Sequence, residues 1–157
     1  MQELSIKYVF DLIGYFGPMI MSVISIAKLW KQSSYLYGYL VFSLINFAVN
    51  GTVKMIAKQP RPYGGQSIIH EHYVGANKYG MPSGHTQSVF FSMTYLYLIT
   101  NSSGLLLIEM FIAALTLYQR WNYRQHTIEQ LCVGAFIGIC IAYGGFCITQ
   151  KWIVTGI

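Results

Sequence analysis

The chain has 157 residues, of which 54% are hydrophobic and only 10% are charged. About a quarter of the residues of an average soluble domain are charged, so this composition excludes an ordinary soluble enzyme and predicts a single integral membrane domain over residues 1–157. The formal net charge of +5 is spread over short junctions between apolar segments. This distribution argues against nucleic acid as a partner and favours lipid phosphates or another anionic ligand at a membrane bilayer.

Five apolar segments are long enough, or nearly long enough, to be membrane helices. A bilayer core of about 30 Å needs about 20 helical residues, and fewer where a helix borders other protein. The predicted helices cover residues 8–29, 35–53, 88–100, 104–118 and 127–149. The expected fold is therefore all-α, a polytopic membrane bundle of about five transmembrane helices.

The junctions between these segments alternate between the two membrane surfaces. Two tight linkers, at 31–34 and 101–103, fall on one side, and two longer junctions, at 54–81 and 119–126, fall on the other side together with the N-terminus. Because both long junctions carry cations and histidines, this parity predicts that two basic, His-bearing segments meet at one surface.

Several residues inside the apolar segments predict how the helices pack. Asp11 and Glu109 are costly in a bilayer and are expected to face the bundle. Gly134 and Gly138 form a GxxxG pair, which indicates close helix packing. Three cysteines at spacings of 8 and 7 are interpreted as buried thiols on one face of the last helix. They are Cys132, Cys140 and Cys147.

The stretch KMIAKQPRP at 54–62 collects three cations. The spacing places Lys54 and Lys58 on one helical face, with Arg61 close below, after Pro60. Like charges so arranged repel each other unless an anion lies between them, and the planar guanidinium of Arg61 fits two phosphate oxygens. The stretch is equally consistent with a basic rim that extends to the lipid headgroups.

The stretch YGMPSGHTQ at 79–87 opens directly into an apolar segment. Pro82 and the hydroxyl of Ser83 mark the start of a helix. Free backbone N–H groups at Ser83, Gly84 and His85 would then bind an anion at the positive end of the helix dipole, with the His85 ring placed to act as a general acid. The alternative interpretation is a capping turn with an interfacial histidine.

The stretch RWNYRQHTIEQ at 120–130 concentrates polar groups between two apolar segments. If the next helix begins near His126, then Glu129 and Gln130 share its face and can reach its ring. An acceptor that orients a histidine fixes which ring nitrogen keeps its proton, as a nucleophile or base requires. The alternative is a solvated interfacial loop.

Together these stretches resemble the three signature motifs of the type 2 phosphatidic acid phosphatase superfamily, in order and in spacing. The resemblance rests on Lys54-x6-Arg61-Pro62, on PSGH at 82–85 and on Arg120-x5-His126, and it covers roughly residues 54–147. Within the superfamily the motifs look most similar to those of dolichyl diphosphatases, which remove the terminal phosphate of polyprenyl diphosphates. The resemblance implies the core that this superfamily shares with haloperoxidases.

The resemblance also implies a role for each site residue. His126 would attack the terminal phosphorus and form a phosphohistidine, His85 would protonate the leaving oxygen, and Gln130 would hold His126. The residues implied to bind the phosphate are Lys54, Arg61, Ser83, Gly84 and Arg120. With so many cations no metal or other cofactor is expected, and His70, Glu71 and His72 lack a full ligand set. The implied location is the endoplasmic reticulum membrane, with the site facing the lumen, in the lipid metabolism of protein N-glycosylation.

Two positions depart from the superfamily pattern. Gln119 stands where Ser is usual, and Gln130 stands where Asp is usual. Three interpretations are open: the dolichyl diphosphatase branch carries Gln there, Glu129 replaces the Asp, or the protein is impaired. A neutral Gln orients the histidine without stabilising its charged form, which matters less when the leaving group departs easily. We therefore expect diphosphates to be preferred over monophosphates, with a broad phosphatidate phosphatase and a silent lipid-phosphate-binding protein as alternatives.

Overall fold

The computed structural model describes residues 5–69 and 73–155, and the part described contains five long α-helices. They are α1 (Ile6–Leu29), α2 (Ser33–Ala57), α3 (Gly84–Thr100), α4 (Ser103–Asn122) and α5 (Ile128–Thr155). A short 3-10 helix, Gly75–Lys78, lies in the junction between α2 and α3. The predicted all-α bundle is confirmed, and each predicted helix is present.

Four of these helices, α1, α2, α4 and α5, are long and apolar enough to cross a membrane. With 17 residues, α3 is shorter, about 26 Å at 1.5 Å per residue. It contacts all four of the other helices and so lies at the centre of the bundle. The polar residues of α3 that face the bundle, among them Gln87 and Ser92, are buried against protein.

α2 ends earlier than the spacing of its basic residues predicts. Lys58 adopts a left-handed conformation with φ of 47°, and its N–H donates to the carbonyl oxygen of Lys54 at 3.0 Å. This cap ends the helix at Ala57. Lys58 is exposed whereas Lys54 is buried, so the prediction that both lysines lie on one phosphate-binding face is wrong for Lys58.

The tight contact between α3 and α5 depends on two glycines. A β-carbon at Gly134 would lie 2.7 Å from the carbonyl oxygen of Ser83, and one at Gly138 would overlap the carbonyl oxygen of Gln87. The prediction of close helix packing is confirmed. Because α5 approaches so closely, the start of α3 is held against the start of α5, where the candidate site lies.

The prediction that the cysteines are buried is wrong. Cys132, Cys140 and Cys147 are all exposed on the surface of α5. The side of α5 that packs inward carries small residues instead, among them Gly134, Gly138, Ala142 and Gly145. A membrane helix is apolar on every side, so the more tightly packing side faces the protein and the cysteine side is left outside.

The two long junctions meet at one end of the bundle, as the parity of the spans predicts. The backbone N–H of Gln66, in the first junction, donates to the carbonyl oxygen of Tyr123, in the second, at 2.8 Å. The hydroxyl of Tyr123 in turn donates to Asp11 of α1 at 3.0 Å. Asp11 and Glu109 are both buried, which confirms that they face the bundle.

Candidate active site

A cavity of about 300 Å³ lies where the C-terminal ends of α2 and α4 meet the N-terminal ends of α3 and α5. It brings together side chains from both long junctions and from the start of α3. Its lining residues are Lys54, Arg61, Tyr73, Asn77, Gly84, His85, Arg120 and His126. Six of the eight site residues that the sequence predicts therefore surround one space, which we call the phosphate cavity because the sequence predicts a phosphate there.

His126 is buried, and its ring is oriented from the side away from the cavity. Nδ1 lies 2.9 Å from the carbonyl oxygen of Gly80 and 3.2 Å from Oε1 of Gln130. The amide orientation of Gln130 is set by Pro60, whose carbonyl oxygen accepts from Nε2 at 2.9 Å. Since both partners of Nδ1 are acceptors, Nδ1 carries the proton and Nε2 keeps a lone pair.

The lone pair of His126 is available at neutral pH. Burial lowers the pKa of the imidazole well below its ordinary value of 6.5, and nearby positive charges, first those of Arg61 and Arg120, lower it further. Nη1 of Arg61 lies 3.2 Å from Nε2. Because arginine only donates, this contact marks Nε2 as the acceptor, the ring nitrogen whose lone pair faces the cavity.

Neutral oxygens hold the cations of the first junction in place. Nζ of Lys54 donates to the carbonyl oxygen of Tyr79 at 3.0 Å. Arg61 donates to the carbonyl oxygen of Asn77 through Nε and Nη2, at 3.1 and 3.0 Å, and to that of Gln125 through Nη1, at 3.1 Å. A carbonyl oxygen positions a cation without cancelling its charge, so these groups remain able to attract an anion.

His85 and Arg120 form the second histidine–arginine pair of the cavity. Nη2 of Arg120 lies 3.0 Å from both ring nitrogens of His85. Tyr15 of α1 contacts both residues: its ring lies 5.6 Å from the His85 ring and 5.2 Å from the guanidinium carbon of Arg120. Since arginine only donates, it faces an unprotonated nitrogen of His85. An anion that draws Arg120 towards itself frees that nitrogen to take up a proton.

Ser83 does not line the cavity, and the prediction that its backbone N–H is free is wrong. That N–H donates to the carbonyl oxygen of Gln130 at 3.0 Å, because α5 packs directly against the start of α3. Its hydroxyl accepts from the N–H of Thr86 at 3.4 Å, so the predicted helix cap is confirmed. Gly84, in contrast, does line the cavity. A β-carbon at Gly84 would approach Oδ1 of Asn50 to 3.2 Å.

Of the two candidates for the orienting group, only Gln130 contacts His126. Glu129 is exposed, whereas Gln130 is fully buried with Oε1 at 3.2 Å from Nδ1. Gln119, the other departure from the superfamily pattern, is buried where α4 packs against Gly14 of α1 and does not line the cavity. His70, Glu71 and His72 lie outside the described residues.

The sequence did not single out Tyr73 and Asn77 of the cavity lining, nor two further residues that contact the site, Gly80 and Gln125. Gly80 supplies the carbonyl oxygen nearest to Nδ1 of His126, and a β-carbon there would lie 2.5 Å from Oε1 of Gln130. Gln125 is buried and accepts a hydrogen bond from Nη1 of Arg61 at 3.2 Å as well as one from the hydroxyl of Tyr73. The available signals were a glycine two residues before the PSGH segment and a glutamine next to His126.

Known proteins are similar in sequence to most of this chain. The family model described as the PAP2 superfamily matches residues 34–153. Dolichyldiphosphatase 1 of Homo sapiens is 28% identical over 94% of this chain and 63% of its own length. Dolichyldiphosphatase 1 of Dictyostelium discoideum is 33% identical over 64% of this chain and 46% of its own. Dolichyldiphosphatase of Saccharomyces cerevisiae is 32% identical over 60% and 44%. The chain thus spans less than two thirds of these relatives, and no solved structure matches it.

Proposed function

The chain belongs to the PAP2 superfamily, and from that membership and the phosphate cavity we propose that it hydrolyses the terminal phosphate of a dolichyl or polyprenyl diphosphate. The observation that carries the proposal is the pair of histidines in one cavity, each in contact with its own arginine. Relatives named dolichyldiphosphatase support the substrate class.

The charges around the cavity suit phosphoryl transfer. The reaction needs little covalent help from the protein and gains most from positioning and from positive charge around the equatorial oxygens. Lys54, Arg61 and Arg120 supply that charge. Gly84 adds its backbone at the N-terminal end of α3, where the helix dipole favours an anion.

The proposed reaction has two steps. When the substrate binds, its phosphate draws Arg120 away from His85, and the freed ring nitrogen of His85 takes a proton from solvent. Nε2 of His126 then attacks the terminal phosphorus, an N–P bond forms, and the P–O bond to the leaving lipid monophosphate breaks while protonated His85 gives its proton to the leaving oxygen. In the second step neutral His85 takes a proton from water, whose oxygen attacks the phosphorus. The N–P bond breaks, inorganic phosphate leaves, and both histidines return to the states that they had before the attack.

The neutral partners of His126 favour a diphosphate substrate. The acceptors at Nδ1 are an amide and a carbonyl, neither of which stabilises a developing positive charge as a carboxylate does. A diphosphate expels a phosphate monoester, which is a far better leaving group than the alkoxide expelled from a lipid monophosphate. The step therefore needs less help from the charge on the histidine when the substrate is a diphosphate.

The purified protein assayed with polyprenyl diphosphate, polyprenyl monophosphate and phosphatidate tests the proposal. We expect fastest phosphate release from the diphosphate, persistence of the activity in chelator, inhibition by vanadate and no turnover in His126→Ala. A control variant, Cys140→Ala on the outer face of α5, should match the native protein. Equal rates on phosphatidate would indicate a broad lipid phosphatase. Binding without phosphate release would indicate a silent protein, and a requirement for added Mg²⁺ would contradict the mechanism.

For the location, we propose the endoplasmic reticulum membrane with the phosphate cavity facing the lumen. The helices α1, α2, α4 and α5 support insertion in a membrane. Single cysteines introduced into a variant without native cysteines, at Tyr63 beside the cavity or at Asn101 at the other end of the bundle, report the orientation. A membrane-impermeant maleimide added to sealed microsomes should label position 101 and spare position 63; the reverse pattern would refute the lumenal site.

A further inference from the structure

Among the residues that the structure describes, two grooves adjoin the phosphate cavity on different sides. The first, of about 360 Å³, lies between α1 and α2 and shares Asn77, Gly84 and His85 with the cavity. The second, of about 570 Å³, lies beside the start of α5 and shares His126 with the cavity. We call them the α1–α2 groove and the α5 groove. Each of them offers a path for the chain of a lipid substrate.

The direction of the reaction selects between the grooves. In an in-line displacement the leaving oxygen lies on the far side of the phosphorus from the nucleophile. With His126 as nucleophile, the leaving half of the substrate points away from His126 and towards the general acid, His85. The α1–α2 groove is lined by His85, whereas the α5 groove is lined by His126. The leaving half therefore extends into the α1–α2 groove.

The side chains that line the two grooves also favour the α1–α2 groove for the lipid chain. Phe16 and Met19 of α1 and Phe47 of α2 line the α1–α2 groove. Met19 and Phe47 are 60% and 79% exposed on the outer surface of the bundle, so the groove is continuous with the lipid and a hydrocarbon chain enters it from the side. Both grooves are lined by apolar and polar side chains, but the α5 groove also contains Arg124 and Glu129, charged groups whose desolvation by a hydrocarbon chain is costly.

Asn77 lies at the rim shared by the phosphate cavity and the α1–α2 groove. Its backbone carbonyl holds Arg61, at 3.0 Å from Nη2, so a group beside its side-chain amide would lie next to a terminal phosphate that Arg61 binds. Gly84 lines the same rim at the N-terminal end of α3. An amide donor and the positive end of a helix dipole suit a second phosphate at this place.

We propose that the α1–α2 groove binds the leaving half of the substrate, with the second phosphate of a lipid diphosphate at Asn77 and the adjoining isoprenoid units along Phe16, Met19 and Phe47. This assignment rests on the proposed function and adds to it a subsite for the leaving group. The groove then selects for a long apolar chain, and Asn77 selects for a diphosphate over a monophosphate.

Filling the groove tests the chain subsite. The test variant is Met19→Trp. One control is Ile128→Trp, which fills the α5 groove, and the other is Leu107→Trp on the outer surface of α4; Ile128 is 63% exposed and Leu107 is 66% exposed. The substrates are a long polyprenyl diphosphate and the five-carbon isopentenyl diphosphate. We expect Met19→Trp to raise KM about tenfold for the long substrate, with the short substrate turned over as by the native protein. Both control variants should match the native protein with both substrates.

Three outcomes would overturn the chain subsite. They are unchanged KM in Met19→Trp, an equal loss with both substrates in a folded Met19→Trp, and a selective loss with the long substrate in Ile128→Trp. If thermal melting shows that Met19→Trp is unfolded, Phe47→Ala replaces it, with an expected rise in KM of a few-fold for the long substrate alone. Absence of all diphosphate hydrolysis in the native protein would instead refute the proposed function.

Asn77→Ala tests the phosphate subsite, because it removes the side-chain amide and leaves the backbone carbonyl that holds Arg61. With polyprenyl diphosphate and polyprenyl monophosphate of equal chain length, we expect kcat/KM to fall about tenfold for the diphosphate and to stay within about twofold for the monophosphate. The matched control is Asn101→Ala, at the other end of the bundle. An equal fall with both substrates, or no fall with either, would overturn the assignment of Asn77.

Discussion

The substitution Gln130→Glu isolates what the neutral amide contributes to the site, because it exchanges one nitrogen for oxygen at constant size. In the native protein Nε2 of Gln130 donates to the carbonyl oxygen of Pro60 and to Oε1 of Gln59, both at 2.9 Å. A carboxylate offers these acceptors an oxygen, so two hydrogen bonds become repulsive contacts. It also places a negative charge beside Nδ1 of His126, now 3.2 Å from Oε1.

The expected loss follows from these two hydrogen bonds. Each neutral hydrogen bond contributes about 0.5–1.5 kcal/mol, so losing both removes about 1–3 kcal/mol from the arrangement that orients His126. If that free energy is lost from the transition state, kcat/KM falls about 5- to 150-fold. The negative charge also favours the imidazolium form, so the pKa of His126 rises and the acid limb of the pH profile moves to higher pH.

The assay is kcat/KM for polyprenyl diphosphate as a function of pH, because this parameter reports the ionisation of the free enzyme. The matched control is Glu129→Gln, the reverse exchange at the exposed neighbour, which should leave both rate and pH profile unchanged. An unchanged rate and acid limb in Gln130→Glu would refute the reasoning. So would a shift of the acid limb in Glu129→Gln, since it would assign the orienting role to Glu129.

Three further predictions concern the histidines and the helix packing. Because the reaction needs unprotonated Nε2 and the pKa of His126 is lowered, kcat/KM of the native protein should stay high as pH falls through 6.5, the ordinary value, and drop only at lower pH; an acid limb at or above that value would contradict this. His85→Asn should cost far more rate with polyprenyl monophosphate than with 4-nitrophenyl phosphate, whose leaving group needs no proton, and equal losses would exclude His85 as the general acid. Gly138→Ala should lower the free energy of unfolding by about 1–3 kcal/mol, because the added methyl group overlaps the backbone of α3. Gly144→Ala, with open space around it, should not lower it, and equal melting temperatures for the two variants would contradict the packing argument.

The helices and their order were predictable because membrane spans have a simple physical signature. Every backbone group in a lipid bilayer must find its hydrogen bond internally, so long apolar segments become helices. The number of spans then predicted that both cationic junctions lie at the same membrane surface. The hydrogen bond between Gln66 and Tyr123 confirms that the two junctions meet. The start of α3 followed from the capping hydroxyl of Ser83.

The hydrogen bonds of the site were less predictable because backbone groups make many of them. The carbonyl oxygen of Gly80, 2.9 Å from Nδ1 of His126, leaves no mark in the side-chain pattern. The N–H of Ser83 was expected to be free, but the approach of α5 provides a partner in the carbonyl oxygen of Gln130. Tertiary packing determines which backbone N–H groups remain free at the start of a helix. The spacing of residues along the sequence does not predict this.

The cysteines show a second limit of prediction from the sequence. Spacings of 8 and 7 correctly placed Cys132, Cys140 and Cys147 on one face of α5, but that face points outwards. In a soluble protein an apolar face is normally the buried one. In a bilayer the lipid and the protein interior are both apolar, so hydrophobicity does not show which face of a helix is buried. The small residues Gly134 and Gly138 are the better guide to the buried face.

The replacement of the usual Asp by Gln130 fits the way in which the other charged groups of the site are held. Lys54 donates to the carbonyl oxygen of Tyr79, and Arg61 donates to that of Asn77. A carboxylate in such a position would attract the same cation but would oppose the incoming phosphate. A charge at position 130 would lie behind the His126 ring, 3.2 Å from Nδ1. At about 8 Å from the phosphate and an effective dielectric constant of about 20, it would act on the phosphate with about 2 kcal/mol per unit charge. For the proposed diphosphate substrate, which brings at least two negative charges and a good leaving group, we expect a neutral amide beside His126 to be the better partner because it adds no such repulsion.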